Sequence, residues 1–345
     1  MDASSVYRIA LDVMGGDHAP QATLEGAGKA LADFAGLHLL LVGDETKLIP
    51  LLGHYGLKGD LLRRMEIIHA PAVVTMEDKA TSILKDKKNS SIRVAAQLVH
   101  DGQANGIVSM GNTGAAMVAS KLIIGTLEGV DRPCLAMVMP NTKGRPTVLL
   151  DVGANVDSKP EHLAQFALMG SVYAEQVLGI PRPKVGLLSV GEEEAKGNGT
   201  TKGAAQMLKE MDLNFAGNAE GNDIWNGRFD VIGCDGFVGN AILKSSEALA
   251  EGIVMGLRDS INQGWMSQLG GLLAKPAIRR FMKKLDYTEY GGAPLLGVKG
   301  VSIIGHGRSN GRAVTSAIRI ALLAAEHRLN ERIQEALALV QQTAG

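Results

Sequence analysis

Cysteine, aromatic rings, an excess of one charge and long apolar runs are all scarce in this sequence, and each shortage excludes something. Two cysteines in 345 residues, Cys134 and Cys234, are too few for a disulfide framework, so a reducing, cytoplasmic setting is expected. Aromatic residues make up 4% of the chain, and 35 Lys and Arg stand against 36 Asp and Glu. A formal net charge of -1 argues against a nucleic-acid footprint spread over the surface, and no nucleic-acid partner is expected. No uninterrupted apolar run reaches about 18 residues, so no membrane-spanning helix is expected. The opening stretch, MDASSVYRIALDVMGGD, meets Asp12 too soon to form the apolar core of a secretory signal.

Signature motifs are missing as well. There is no Gly-x4-Gly-Lys-Ser/Thr loop for nucleotide phosphates, and the first strand ends in Gly15-Gly16-Asp17 where a dinucleotide fingerprint would place Gly-x-Gly-x-x-Gly. A Gly-x-Ser-x-Gly nucleophile elbow is absent. So are His-x-Glu and Cys-x-x-Cys metal signatures, and neither a metal nor a cofactor is expected. Cys134 lies inside an apolar strand, and Cys234 reads as close-packed filler with no histidine beside it in sequence.

What the chain has is glycine, 43 residues of it, placed where strands end and helices begin. Short apolar strands alternate with amphipathic helices. YRIALDVM is followed by the helix QATLEGAGKALADF, LHLLLVGD by the helix ETKLIPLLGHYG, and MEIIHAP by the helix SSIRVAAQLVHDG and the strand GIVSM. Continuous apolar strands of this kind predict a parallel sheet covered on both faces. Between 131 and 150 the rhythm changes, because PCLAMVMP and PTVLLDVG are joined only by NTKGR and read as an antiparallel hairpin. Alternation then resumes through KVGLLSVG, TTKGAAQMLKEMD and FDVIGCDG to a long helix from about Val238, a strand pair in PLLGVKGVSIIGHG and a C-terminal helix. The expectation is a Rossmann-like three-layer α/β fold with a parallel to mixed sheet. Residues 1–345 would form one large unit with two lobes around a central cleft.

One segment departs from this pattern. Residues 255–285, MGLRDSINQGWMSQLGGLLAKPAIRRFMKKL, read as two helical pieces broken by Gly270, Gly271 and Pro276, a protruding amphipathic hairpin. Apolar residues from Trp265 to Met282 collect on one side, and Lys275, Arg279, Arg280, Lys283 and Lys284 gather at the end. A dimer interface and a contact with anionic lipid both fit such a composition.

Six Gly-rich or polar turns follow strand ends: Asp12–Asp17, Gly111–Gly114, Asp151–Asn155, Gly191–Gly203, Gly233–Asn240 and Gly305–Gly311. In a parallel α/β sheet such turns converge along one edge, where ligands bind. Backbone N–H groups at helix starts favour anions. The turn Gly111-Asn112-Thr113-Gly114 carries no charge and suits a phosphate cradle. The richest turn, SVGEEEAKGNGTTKGA, sets Lys196 between glycines opposite Glu192, Glu193 and Glu194, with Lys202 opening the next helix. Lysine is a compact cation suited to phosphate oxygens. His18 and His306 also fall in turns and are open to catalytic or structural use. The site so read binds anions and lacks a covalent nucleophile, which suits a reaction in which phosphate is itself a substrate.

LDVMGGDHAP, SMGNTGA, LLDVGAN, GEEEAKGN, GCDGFVGN and EYGGAPLLGVKG, in this order, resemble the bacterial phosphate acyltransferase family known as PlsX, from about Ile9 to the C-terminal helix. The resemblance implies transfer of a fatty acyl group from acyl-acyl carrier protein to inorganic phosphate, giving acyl-phosphate. A membrane glycerol-3-phosphate acyltransferase would use that product in phospholipid synthesis. It also implies a fold like that of isopropylmalate and isocitrate dehydrogenases and of phosphotransacetylase, a homodimer, and a place in the cytoplasm or peripheral to the inner face of the membrane. On this reading Lys196, Asn240 and His306 serve catalysis, and Gly111, Asn112, Thr113, Gly114 and Lys202 bind phosphate. Asp12, Gly15, Gly16, Asp17, Asp151, Asn155 and Asp235 order the turns. Arg279, Arg280, Lys283 and Lys284 meet the acidic carrier protein or lipid. Two alternatives stay open at this stage: a dehydrogenase of the same fold, and a non-catalytic module that binds lipid or carrier protein.

Overall fold

The computed structural model describes residues 6–285 and 291–343, with the backbone alone over 280–285 and 341–343. The first part of the chain runs β1 (Tyr7–Asp12), α1 (Gln21–Asp33), β2 (Leu37–Gly43), α2 (Glu45–Leu48), β3 (Met65–His69), α3 (Ser82–Lys85), α4 (Ser91–His100), β4 (Gly106–Ser109) and α5 (Thr113–Ala119). It continues with β5 (Cys134–Met139), β6 (Thr147–Leu150), α6 (Pro160–Gln176), β7 (Val185–Leu188), α7 (Gly199–Glu210), β8 (Phe215–Ala219), α8 (Asp223–Asn226), β9 (Val231–Gly233) and α9 (Gly236–Asn262). The last elements are α10 (Trp265–Leu285), β10 (Ala293–Leu296), β11 (Val301–Ile304), α11 (Gly311–Glu326) and α12 (Leu329–Thr343).

The eleven described strands join in one sheet, in the order β3-β2-β1-β4-β11-β10-β5-β6-β9-β7-β8. Alternation along the strands covers both faces. Ile9, Leu11, Leu39 and Leu41 point to a core shared with α1, α6, α7, α11 and α12. Ala10, Leu40 and Val42 point to a second core with α3, α4, α5 and α8. This is the three-layer arrangement that continuous apolar strands require.

Direction within the sheet corrects one expectation. β3, β2, β1, β4 and β11 are mutually parallel, but β10 is antiparallel to both β11 and β5, and β5 is antiparallel to β6. Strands β6, β9, β7 and β8 are parallel among themselves and therefore run opposite to the first set. The six turns consequently do not line one edge. Those after β1, β4 and β11 leave the sheet at one end, and those after β6, β9 and β7 at the other. Because β10 has four residues, ~13 Å at the usual rise per residue, the ends of the two sets still reach a common region over β5 and β10.

Three local readings also change. ETKLIPLLGHYG is not one helix: α2 stops at Leu48 and a tighter 3-10 turn follows over Ile49–Tyr55. Pro50, which lacks an N–H, stands at the start of that turn. β8 falls in NFAGNA, where two glycine-and-asparagine positions hide the apolar alternation. In the helical hairpin the chain reverses at Gln263 and Gly264, while Gly270, Gly271 and Pro276 lie inside the continuous helix α10. Gly271 is a contact point and not a break: a Cβ there would lie 2.5 Å from Ile261 Cγ2 of α9.

Candidate functional site

Where the two sets of turns meet, a cavity of about 330 Å3 opens between α5, the first turns of α9 and the sheet over β5 and β10. Met117, Leu135, Met137, Val152, Leu243 and Ile304 make its floor apolar. Thr113, Asn240, Lys244, Glu247, His306 and Ser309 supply its polar groups. Mostly apolar walls with a few convergent polar groups are the usual construction of a small-molecule site.

The turn after β4 is held from behind. Ser109 Oγ donates to Asp12 Oδ2 at 2.7 Å and accepts from Gly111 N at 3.1 Å, so that amide is spent within the protein. Asn112 caps α5 by accepting from Ala115 N at 3.0 Å, and its amide nitrogen donates to the carbonyls of Thr75 and Asp78 at 3.2 and 3.1 Å. Its side chain is thus committed to the cap and to the 75–78 loop. The amides of Thr113 and Gly114 make no hydrogen bond among the described residues and lie at the helix start, where an anion is favoured. Asp12 is buried, and burial pushes its carboxyl above the ordinary carboxylate range despite the hydroxyls of Ser91 and Ser109 and the amides of Met14 and Gly15. Asp17 is exposed, and its amide donates to Gly307 O at 2.8 Å, which ties the turn after β1 to that after β11.

The opposite wall is organised by Asp151. Its Oδ1 accepts from the amides of Leu135, Gly153 and Ala154 at 2.9, 3.3 and 3.0 Å. Its Oδ2 accepts from the amide and side chain of Asn155 at 2.7 and 2.9 Å. Burial raises the Asp151 carboxyl, with the donors of Ala154, Leu135 and Asn155 opposing. Asn155 Nδ2 also reaches Pro133 O at 2.9 Å. Asp235 caps α9 by accepting from Phe237 N at 2.9 Å, and its other oxygen accepts from Ser158 N at 3.0 Å. These bonds set Asn240 on the cavity wall. His306 lines the cavity from the other side, with Nδ1 accepting from Arg308 N at 3.2 Å.

Lys196 and Lys202 are not among the residues lining the cavity. Both are exposed, in the loop after β7 and the first turn of α7, and in the sheet β9 separates β7 from β6. Glu192 pairs with Arg228 and Glu194 with Lys209. Lys196 is left without an acidic partner among the described residues. Arg279 is exposed on α10, whereas the side chains of Arg280, Lys283 and Lys284 lie outside the described part of the structure. Both cysteines are buried, and burial together with the Asp151 carboxylate pushes each thiol well up, so neither supplies a thiolate. No group of three or more His, Cys, Asp or Glu side chains that could hold a metal ion is gathered among the described residues.

Comparison with known proteins decides the family. The signature of a family described as fatty acid synthesis protein matches residues 7–332. A phosphate acyltransferase of Pelotomaculum thermopropionicum is 48% identical over 334 residues, covering 97% of this chain and 96% of its own length. One from Aquifex aeolicus is 50% identical over 316 residues, 92% of each chain. The chain belongs to the phosphate acyltransferase family. Among solved structures, a phosphotransacetylase of Staphylococcus aureus superposes with a TM-score of 0.59 at 18% identity, over 93% of this chain and 94% of its own. Another from Streptococcus pyogenes gives 0.60 at 17%, over the same shares. These two likenesses concern the fold. Family membership does not favour the dehydrogenase or the non-catalytic alternative.

Sequence reasoning missed Lys244, Glu247, Ser109 and Ser309. The signal for the first two was present: Asn240, Leu243, Lys244 and Glu247 fall at i, i+3, i+4 and i+7, one face of a helix.

Proposed function

We propose that this protein transfers a fatty acyl group from acylated acyl carrier protein to inorganic phosphate, giving acyl-phosphate for phospholipid synthesis. The observation that supports the reading is the cavity itself, whose apolar floor is shared by Thr113 at the start of α5, Asn240 and His306. A phosphate oxygen attacks the thioester carbonyl carbon, the carbonyl oxygen takes up the negative charge, and the C–S bond breaks to release the carrier thiolate. The phosphate nucleophile needs no enzyme thiolate, which agrees with two buried cysteines of raised pKa. The Gly111–Gly114 turn binds phosphate through backbone N–H groups, while Asn240 and His306 stabilise the developing oxyanion. Losing one such donor costs about 3 kcal/mol of barrier.

Lys196 in the loop after β7 and Lys202 in the first turn of α7 stand outside the cavity lining, and any part they take is as longer-range positive charge. Lys196→Ala is expected to slow acyl-phosphate formation, and unchanged formation would remove Lys196 from the site. The decisive assay is release of carrier thiol from acyl-carrier protein with and without phosphate. Release independent of phosphate would overturn the reading.

Two lobes around the cavity, a homodimer, a cytoplasmic location with peripheral membrane contact, and hand-over to a membrane acyltransferase belong to the same proposal. No helix among the described residues is long and apolar enough to cross a membrane. Support for surface contact comes from the hairpin α9–α10, where Trp265, Met266, Leu269, Leu272 and Leu273 are exposed beside Lys275 and Arg279. Exposed apolar residues flanked by cations suit an anionic bilayer surface. Cosedimentation with anionic vesicles, reduced by Leu272→Ser with Leu273→Ser, is the corresponding test.

A further inference from the structure

Among the described residues lining the cavity, one permanent cation is present, and it is neither of the lysines in the glycine-rich loop. Lys244 projects from the third turn of α9, four residues beyond Asn240 on the same face. Its Nζ lies 2.8 Å from Glu247 Oε2, one turn further along. The two side chains differ in enclosure: Lys244 is 56% exposed and Glu247 22%. The carboxylate is the sheltered member, and the ammonium, on a flexible four-carbon stem, is the one free to swing.

We infer that Lys244 is the residue that takes up phosphate in this cavity, and that Glu247 holds its ammonium until the anion displaces it. The inference rests on the acyl-transfer reading above and adds the cation which that reading lacks at the cavity wall. An entering phosphate carries more negative charge than a carboxylate and offers several oxygens to the same ammonium. The apolar floor of Met117, Met137 and Leu243 strengthens that attraction relative to open water. Glu247 then has two effects of one sign. It competes with phosphate for Lys244, and its own charge repels the incoming anion. The pair therefore sets how much phosphate the enzyme requires, and Lys244 touches the nucleophile while Glu247 acts through it.

The test is steady-state release of carrier thiol with inorganic phosphate varied and acyl-carrier protein saturating. Lys244→Met is expected to raise KM for phosphate about tenfold, the scale of one charge-assisted contact, with KM for acyl-carrier protein unchanged. Lys244→Arg, which keeps the charge, is expected to stay within about threefold of the parent. Glu247→Gln is expected to move the other way and lower KM for phosphate by about two- to threefold, the worth of a half-exposed ion pair. Opposite signs for the two members are what a merely structural pair cannot produce. The inference fails if Lys244→Met leaves KM for phosphate unchanged, or if both neutral variants raise it alike. Should the unmodified enzyme release thiol without phosphate, the acyl-transfer reading itself falls, and this outcome is separable because no variant is involved. Unchanged thermal melting of the three variants excludes misfolding, and Glu247→Gln alone still tests the sign if Lys244→Met does not fold.

Discussion

Asp12 and Asp151 stand at matching places in the two halves of the sheet, one at the end of β1 and the other just past the end of β6. Both are buried, and burial raises both carboxyls. Their partners differ. Asp151 gathers five N–H groups from Leu135, Gly153, Ala154 and Asn155, so a single side chain dictates the path of the loop and of strand β5 beside it. Asp12 takes a short bond from the hydroxyl of Ser109, which in turn receives Gly111 N. The first arrangement fixes a backbone outright. The second fixes only the root of a turn and leaves the amides of Thr113 and Gly114 without a hydrogen bond among the described residues, with Thr113 on the cavity wall. One wall of the cavity is thus a frame, and the other a set of donors kept available.

If that contrast is right, Asp151 should be the costlier residue to lose. Asp151→Ala leaves four amides without this acceptor, two of them buried (Leu135 and Asn155) and two half-buried (Gly153 and Ala154), while Asn155 Nδ2 keeps Pro133 O. A loss of about 3 kcal/mol is expected, read from the urea midpoint. A loss near 1 kcal/mol would mean that the loop holds its shape without the carboxylate. Gly239 tests the same frame from the helix side, because a Cβ there would lie 1.8 Å from Asp151 O and 2.9 Å from Cys234 Sγ. Gly239→Ala must push the start of α9 away, at a cost of about 3 kcal/mol. Asn240 moves with it, and a displacement of about 1 Å at a reacting centre costs on the order of a hundredfold in rate. Full activity in a destabilised Gly239→Ala would detach Asn240 from the chemistry.

The two walls were unequally legible in the sequence. Apolar strands alternating with helices gave the layers, and the short NTKGR link gave the β5–β6 pairing, because periodicity and turn length are local properties. The reversal of half the sheet was not local. It depends on β10, contributed from residues 293–296 and inserted between β11 and β5, and nothing near residue 135 announces that partner. The single-edge picture failed for this reason, and it carried Lys196 nearer to the phosphate turn than the strand order does. Lys244 was overlooked for a related cause. It belongs to no turn: this lysine lies two turns inside a helix and lines the cavity only through the way α9 is docked by Asp235 and Gly239. The hairpin boundaries slipped because Gly270 and Gly271 resemble breakers in sequence, while Gly271 in fact admits Ile261 of the facing helix.

The smallest expected effect is at Asp12, and there the sign against pH matters more than the size. Asp12→Asn keeps the shape, and the amide oxygen still accepts from Ser109, so the stability change should be about 1 kcal/mol or less. In the unfolded chain Asp12 ionises near the ordinary value of about 3.9, whereas in the folded protein burial holds it protonated to higher pH. Below the ordinary value both states carry the proton and the carboxyl has no pH-linked effect. As pH rises from there, the unfolded state gives up its proton first, and the parent loses stability until the folded carboxyl has ionised too. The variant has no such group and keeps what the parent loses. Urea midpoints measured from pH 4 to pH 7 should therefore shift in favour of Asp12→Asn as pH rises, then level off. A difference independent of pH would show that Ser109 and the surrounding amides balance burial, and Asp12 would join Asp151 as a framing residue.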